Sequence, residues 1–182
     1  MQPIPDEQEL VERARNGDED AVTLLYEMHV DSIFAYIRYR VPSDMIAEDI
    51  TSEVFLRMVR SIAGYRDQGA PFRSWLYRIA ANLLTDHHRK HGKNPEIAIP
   101  ESYQSDDTNP FDHVMREDER QHLRLAIQSL PAEYQNLLWL RFVEDLPHTE
   151  IAHILNKPAA ALRAMQYRAL KALANALQRD QT

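Results

Sequence analysis

The sequence predicts an all-α fold of two small helical domains joined by a flexible acidic linker. Apolar residues recur at intervals of three and four along most of the chain, whereas strand-like alternation of apolar and polar residues is scarce. Only 4 of the 182 residues are glycine, and 44% are hydrophobic against 27% charged, as in ordinary globular proteins. The helical periodicity is lost near the middle of the chain, so we expect the linker there.

Capping signals delimit the first three helices. A short helix over residues 6–15 is expected to end at Asn16-Gly17, and Asp18 is expected to cap the second helix. Ser43 or Asp44 caps the third. The apolar positions predicted to face inward are Val22, Leu25, Ile33 and Ile37 in the second helix and Ala47, Ile50, Val54 and Met58 in the third.

The other face of the third helix carries Asp49 and Glu53, one turn apart, followed by Leu56 and then Arg60. A solvated surface is the ordinary interpretation of such a face. An apolar side chain among carboxylates also suits a docking surface for a basic helical partner.

The segment from Tyr65 to Lys90 organises the first domain, because a glycine and proline loop leads there into a strongly amphipathic helix. Its predicted buried stripe is Phe72, Leu76, Ile79, Ala80 and Leu83, with Trp75 at the margin. Its predicted outward face is Ser74, Arg78, Asn82, Thr85 and Arg89. That face is either a solvated surface or one that contacts phosphates and base edges.

Charge is distributed unevenly along the chain. The net charge is −7, yet residues 57–91 hold seven Lys or Arg against two Asp. Segment balances are −9 for residues 1–56, +5 for 57–91, −5 for 92–120 and +2 for 121–182. Between Lys157 and Arg179 every charge is positive. Two basic regions in an acidic chain predict that a polyanion is met at two separate places.

Residues 93–115 are rich in Pro, Asp, Ser and Asn and have no helical periodicity. Such a composition buries too little apolar surface to offset the entropy of ordering, so we interpret it as the flexible acidic linker. The predicted division is a first domain over residues 1–92, the linker over 93–115 and a second domain over 116–182.

The second domain is predicted to contain a helix-turn-helix. After helices over residues 116–128 and 131–142, a short helix pinned by Ile151, Ala152 and Leu155 is followed by Asn156, which tolerates the positive φ of a tight turn. Pro158 then opens a longer helix. Its predicted buried side is Leu162, Met165, Ala169, Leu173 and Ala176, which leaves Ala160, Arg163, Ala164, Tyr167, Arg168 and Lys171 opposite.

Other classes of protein are disfavoured. The chain has no cysteine, which excludes disulfides and thiolate sites, and no apolar run approaches membrane-spanning length. The acidic start of the chain does not resemble a signal peptide, so we expect a cytoplasmic protein without membrane attachment. His87, His88 and His91 are the candidate metal ligands, but no third ligand from another helix and no catalytic motif accompany them. We therefore expect no metal, no cofactor and no enzymatic activity.

Four motifs in order resemble those of bacterial sigma factors of the extracytoplasmic function (ECF) group. They are N-G-D-E-D-A, A-E-D-I-T-S-E-V-F-L-R, F-R-S-W-L-Y-R-I-A-A-N, and L-P-A-E-Y followed by E-I-A-H-I-L and R-A-L-K-A-L. The resemblance covers essentially the whole chain. It implies a protein that directs core RNA polymerase to promoters, with the first domain on the −10 element and the second on the −35 element.

The resemblance also implies residue roles. Asp49 and Glu53, with Leu56, would bind the coiled coil of the polymerase's largest subunit. The second domain would contact the flap of the polymerase. Single-stranded −10 DNA would be met by Tyr65, Arg66, Arg73, Arg78, Asn82 and Arg89. Duplex −35 DNA would be met by Lys157, Ala160, Arg163, Tyr167, Arg168 and Lys171. An anti-sigma factor is a further candidate partner.

The chain departs from the family pattern at the start of the helix-turn-helix. Leu146-Pro147-His148 stands where Ser or Thr is usual, so the capping hydrogen bond is either missing or moved to Thr149. Ala161 and Met165 replace a common Thr and Arg. A stand-alone helix-turn-helix regulator, which needs neither a polymerase-binding face nor a loop for unpaired bases, is the alternative function.

Overall fold

The computed structural model describes residues 6–67, 69–91 and 117–179, and within them the chain forms eight α-helices. The first half contains α1 (Glu7–Arg15), α2 (Glu19–Arg38), α3 (Asp44–Ser61), a 3-10 turn (Ile62–Gly64) and α4 (Phe72–His91). The second half contains α5 (Glu117–Gln128), α6 (Ala132–Phe142), α7 (His148–Leu155) and α8 (Ala159–Arg179). No strand occurs in these ranges, which confirms the all-α prediction. The predicted linker, 93–115, lies outside the described residues.

Side chains cap α2 and α3 as the sequence predicts. The Asp18 carboxylate accepts a hydrogen bond from the backbone N–H of Ala21 at 3.1 Å and another from Arg13 Nε at 2.8 Å. These bonds, that from Arg13 first, hold the pKa of Asp18 below its ordinary value. Ser43 Oγ accepts from the N–H of Ile46 at 3.3 Å, so Ser43 is the cap of α3.

Helix α4 is buried on more of its surface than its periodicity predicts. Phe72, Leu76 and Ala80 are buried, as expected, and Ile79, Leu83 and Trp75 are partly buried against the same core. Ser74 and Tyr77 are buried as well, at 3% and 2% exposure. The prediction that Ser74 lies on the outward face is therefore wrong. The physical reason is that α4 packs on α2 and α3 with one side and on α7 with another.

The two halves share one hydrophobic core. Leu25 and Leu76 from the first half belong to the same buried cluster as Leu137, Leu140 and Ile151 from the second. A small separate cluster of Leu130, Leu138 and Ala169 holds α6 against α8. The described helices thus form one packed body, and the predicted boundaries of the two domains, 1–92 and 116–182, stay a prediction.

The helix-turn-helix is present in α7 and α8. Asn156 ends α7 with φ 51° and ψ 48°, the left-handed conformation that was predicted for it. Leu162, Met165 and Ala169 are buried, and Leu173 and Ala176 are partly buried, as predicted. Pro147 occupies the N-cap of α7, where no side-chain capping bond forms. His148 Nε2 instead lies 2.8 Å from Gln166 Oε1, which ties the start of α7 to α8.

Candidate nucleic-acid interface

The outer face of α3 combines carboxylates with exposed apolar side chains. Asp49 is exposed, and Glu53 accepts a hydrogen bond from Arg57 at 2.8 Å, which lowers the pKa of Glu53. Leu56 is 48% exposed, and Val59 is 51% exposed one turn after Phe55. Val59 was not singled out from the sequence, although its position beside Leu56 carries the same signal. Together these residues form a surface suited to a partner with apolar and basic groups.

Three aromatic rings form a cluster at the turn that precedes α4. Tyr65 meets Phe72 edge-on with ring centroids 5.4 Å apart, and it lies 4.9 Å from Trp75. Burial, and then the charges of Asp67 and Glu7, raise the pKa of Tyr65. Gly69 continues the turn with φ +79°, which favours glycine, and its N–H donates to Asp67 Oδ1 at 2.7 Å. The cluster fixes the Tyr65 ring at the surface of the first half.

A cavity of about 330 Å³ opens beside this cluster. Its walls include Tyr65, Trp75, Arg66 and Arg78. Aromatic faces with guanidinium groups at the rim can stack on a planar base and hold its phosphate. The structure therefore brings three of the six predicted −10 residues, Tyr65, Arg66 and Arg78, to one cavity.

The other predicted −10 residues are distributed along α4. Arg73 lies in its first turn, whereas Asn82 and Arg89 are exposed further along the helix and do not line the cavity. Arg89 NH2 pairs with Asp86 at 3.2 Å. Asn82 thus offers a donor and an acceptor to a partner that continues along α4 from the cavity.

Helix α7 covers one side of this surface. The Glu150 carboxylate accepts hydrogen bonds from Arg73 Nε at 3.2 Å, from Arg73 NH2 at 3.1 Å and from Ser74 Oγ at 3.1 Å. Arg78 NH2 donates to Asn156 Oδ1 at 3.3 Å, and His153 lines the cavity. His153 was not predicted to lie here, because no pattern in the sequence indicates which helix of the second half packs on α4.

The second basic surface is the open side of α8. Ala160, Arg163, Tyr167, Arg168 and Lys171 are all exposed, and Tyr167 is 69% exposed. Lys157 is partly exposed and pairs with Glu133 of α6 at 3.0 Å. Small and cationic side chains on a helix held by a helix-turn-helix are the arrangement that reads duplex DNA in the major groove.

The histidines at the end of α4 lie close together. The rings of His87 and His91 stack with centroids 4.3 Å apart, and burial first, then His91, lowers the pKa of His87. Across the described residues there is no group of three or more His, Cys, Asp or Glu side chains that could hold a metal ion. Among those residues there is also no helix long and apolar enough to cross a membrane.

Two family descriptions match the chain. Residues 25–94 match Sigma-70 region 2, and residues 120–173 match Sigma-70 region 4. The chain belongs to the sigma-70 family. The first match includes α3 and most of the residues that line the cavity, and the second includes α7 and most of α8.

Relatives assign this sigma factor to the ECF group. It is 37% identical over 174 residues to the ECF RNA polymerase sigma factor BldN of Streptomyces coelicolor, a match that covers 94% of this chain and 66% of that protein. It is 29% identical over 182 residues to the ECF RNA polymerase sigma-E factor of Escherichia coli strain K12, with 94% of each covered. The chain therefore spans slightly less than two thirds of BldN and nearly all of sigma-E.

Solved structures of two other proteins share the fold of this sigma factor. CnrH in complex with the cytosolic domain of CnrY matches with a TM-score of 0.71 at 19% identity, over 96% of this chain and 98% of that one. The sigma factor RpoE of Bartonella quintana, in complex with the anti-sigma factor NepR, matches with a TM-score of 0.65 at 16% identity. That match covers 86% of this chain and 96% of the RpoE chain. Because the first match covers nearly the whole chain, the likeness of fold includes both halves.

Proposed function

We propose that this ECF sigma factor binds core RNA polymerase, directs it to specific promoters and helps to melt the −10 element. The observation that carries the proposal is the aromatic and cationic cavity beside α4, together with a second helix, α8, whose cationic side chains are exposed. A stand-alone helix-turn-helix regulator uses only the second of these. The cavity, together with the docking face of α3, therefore favours the sigma factor.

Polymerase binding is assigned to the exposed face of α3. Asp49, Glu53 and Leu56 present two carboxylates and a large apolar side chain on one side of a rigid helix, whose other side is buried. Such a face matches basic and apolar side chains of a helical coiled coil. The proposed partner is the coiled coil of the largest polymerase subunit, and the second half would meet the flap.

Melting follows from preferential binding of unpaired bases. The chain carries no glycine-rich phosphate loop with which to use a nucleotide, so strand opening must be driven by binding. A base that leaves the duplex loses its stacking, which an aromatic side chain restores by about 1–3 kcal/mol. Tyr65 at the rim of the cavity is proposed to supply that stacking. Asn82 would read a base edge, and Arg66, Arg73, Arg78 and Arg89 would hold the backbone.

Promoter selection at the −35 element is assigned to α8. Arg163 can donate two parallel hydrogen bonds to one guanine, whereas Lys171 and Lys157 act as point charges near phosphates. Tyr167 and Arg168 contribute further contacts, and Ala160 lets the helix approach the floor of the groove. The exposure of these side chains supports the assignment.

The proposed function also implies a cellular setting. A promoter-specificity subunit acts where polymerase and the chromosome are, so we propose a cytoplasmic protein without enzymatic activity of its own. The structural neighbour RpoE is bound to an anti-sigma factor, NepR. We extend this to a proposal that an anti-sigma factor also binds the present chain.

A binding titration with the host's core polymerase tests the α3 assignment. The variant Asp49→Arg with Glu53→Arg is expected to bind core at least roughly tenfold more weakly, because like charges would then face a basic partner. Its helicity by circular dichroism should stay unchanged. The matched control reverses the charges of Glu27 and Asp31, two exposed carboxylates one turn apart on α2. This control variant should bind core polymerase normally.

Promoter-directed transcription decides between the two functions. Core polymerase supplemented with the protein should start RNA synthesis at defined sites in a genomic library, and core alone should not. A protein that binds duplex promoter DNA by itself, yet neither binds core nor redirects it, would instead be a stand-alone regulator.

A further inference from the structure

Glu150 of α7 occupies an anion-binding position on the predicted −10 surface. Its carboxylate takes three hydrogen bonds, two from the Arg73 guanidinium and one from Ser74, and its side chain is only 13% exposed. The partnership with Glu150 raises the pKa of Arg73. A guanidinium fork with a neighbouring hydroxyl is also how proteins hold a backbone phosphate. Glu150 therefore stands where a DNA phosphate would bind.

Two further contacts extend this cover over the cavity. Asn156, in the turn after α7, accepts a hydrogen bond from Arg78, and His153 contributes to the cavity wall. Arg73 and Arg78, two of the predicted DNA-binding cations, are thus both engaged by the second half of the same chain. The surface that would receive unpaired DNA is partly covered from within.

A second patch joins the halves through buried polar groups. Tyr36 OH donates to Asn136 Oδ1 at 2.9 Å, and Arg40 NH2 donates to the carbonyl of Gln135 at 3.1 Å. Arg40 is only 7% exposed, its guanidinium lies over the rings of Tyr36 and Trp139, and burial lowers its pKa to about 10.

Burial of Arg40 in this second patch costs free energy. The Nε of Arg40 has no hydrogen-bond partner among the residues that the structure describes, and the negative charge of Glu144 offsets only part of the effect of burial on the pKa of Arg40. A buried cation that keeps an unsatisfied donor costs free energy. The polar patch therefore specifies how the halves fit while reducing the net stability of their contact.

We propose that α7 is a built-in lid on the −10 surface, with Glu150 as the group that substitutes for DNA phosphate on Arg73 and Ser74. This proposal rests on the proposed function, since it takes α4 as the binding site for unpaired DNA. In the free protein the lid is closed, and the two halves must separate before α4 can receive DNA.

The spacing of promoter elements requires the same separation. Elements named for positions −10 and −35 are centred about 25 base pairs apart, which is roughly 85 Å of duplex at 3.4 Å per step. In the structure α7, the first helix of the −35 reader, lies directly against α4, the −10 reader. One chain cannot hold this contact and occupy both elements at once. Opening of the lid thus makes both DNA-binding surfaces usable together.

A distance measurement on the full chain tests the lid without DNA or polymerase. The chain has no cysteine, so spin labels can be placed at Thr23→Cys on α2 and Asn175→Cys on α8, both exposed positions. Electron–electron double resonance should give one narrow distance distribution for the parent. Glu150→Gln removes the charge that Arg73 binds, and should raise the ratio of open to closed molecules roughly tenfold.

Two matched variants separate the lid from a general effect on folding. Glu12→Gln removes the same charge from the exposed pair with Arg15 in α1, and should leave the distribution unchanged. The exchange Arg73→Glu with Glu150→Arg restores an ion pair across the interface, and should return the narrow distribution. An unchanged distribution in Glu150→Gln, or opening that the exchange does not reverse, would overturn the proposal.

Binding of a short fluorescein-labelled oligothymidine tests what the lid covers. Glu150→Gln should bind it several-fold more tightly than the parent, and adding Arg73→Ala should cancel the gain. Opening without tighter binding would overturn Glu150 as a phosphate substitute. If promoter-directed transcription with core fails as well, the proposed function fails; if transcription succeeds, only the lid is wrong.

Discussion

Helices α4 and α8 carry the basic surface of this protein, and they differ in what covers them. On α4, Arg73 and Arg78 are engaged by side chains of the second half. On α8, Arg163 and Lys171 are exposed. Both helices have the cationic and aromatic side chains that nucleic acid requires, yet only one of them is open. Basic composition therefore indicates where a polyanion can bind. The packing of other helices on that surface determines whether it is accessible.

The difference has an energetic basis. Helix α4 is anchored on two sides, by the core of the first half and by α7, whereas α8 is anchored on one. The polar contacts that engage Arg73 and Arg78 lie at the edge of the shared hydrophobic core, and their net contribution is small because each group also binds water well. Polar contacts of this kind can be exchanged for contacts with DNA phosphate.

Truncation of a core leucine should give the largest effect. It tests whether α4 and α8 are anchored in the same hydrophobic core. Leu76 of α4 and Leu162 of α8 are both fully buried. Replacing either with Ala should lower the free energy of unfolding by about 2–5 kcal/mol. Leu56→Ala, at an exposed position of α3, should change it far less.

The two tryptophans report whether unfolding is shared. Trp75 lies on α4 and Trp139 on α6, so variants that keep only one of them follow one half each. Because the buried cluster is continuous, both signals should be lost at the same denaturant concentration. Two different midpoints, with Leu76→Ala shifting only the transition that Trp75 reports, would show that the halves unfold independently. The two helices would then not be anchored in one core.

Replacement of Arg163 with Ala tests whether α8 reads bases. Promoter affinity should fall by about 1–3 kcal/mol, and preference should relax at one position of the −35 element. Arg163→Lys keeps the charge but lacks the bidentate fork, so it should lose the base preference and keep most of the salt dependence. Unchanged promoter selection in both variants would mean that this side of α8 faces elsewhere.

Replacement of Lys171 with Ala should have the smallest effect. A lysine that meets phosphate contributes alike to all sequences, so binding should weaken uniformly, and the slope of log affinity against log salt should fall by about 1. Asn175→Ala, one turn further along α8, removes no charge and should leave the slope unchanged. A change in base preference would contradict the phosphate role.

Local signals in the sequence predicted most of the fold. Asp18 and Ser43 cap their helices, Asn156 adopts the left-handed conformation, and Leu162 and Met165 are buried as the periodicity indicates. Each of these depends on residues within a few positions in the chain, or on one helical face. Such features are determined by local chemistry, and a sequence therefore displays them.

The contact between the halves was not predictable in the same way. Ser74 and Tyr77 lie off the apolar stripe of α4, and periodicity alone does not reveal that a second neighbour buries them. Arg40 has an ordinary charged side chain, whose burial depends on carbonyls and rings far away in the sequence. The roles of the site residues stay predictions, because the structure shows their positions but not their partners.

Promoter opening by core polymerase tests the central claim most directly, because it asks whether Tyr65 and Asn82 capture unpaired bases. Tyr65→Ala and Asn82→Ala should bind core normally but fail to open a duplex promoter, as read by permanganate reactivity of unpaired thymines. Tyr65→Phe keeps the ring and should open it, since stacking of about 1–3 kcal/mol needs only the aromatic face. A promoter melted in advance should largely rescue both alanine variants. Normal opening by both, or failure of the melted promoter to rescue variants that still bind core, would contradict base capture.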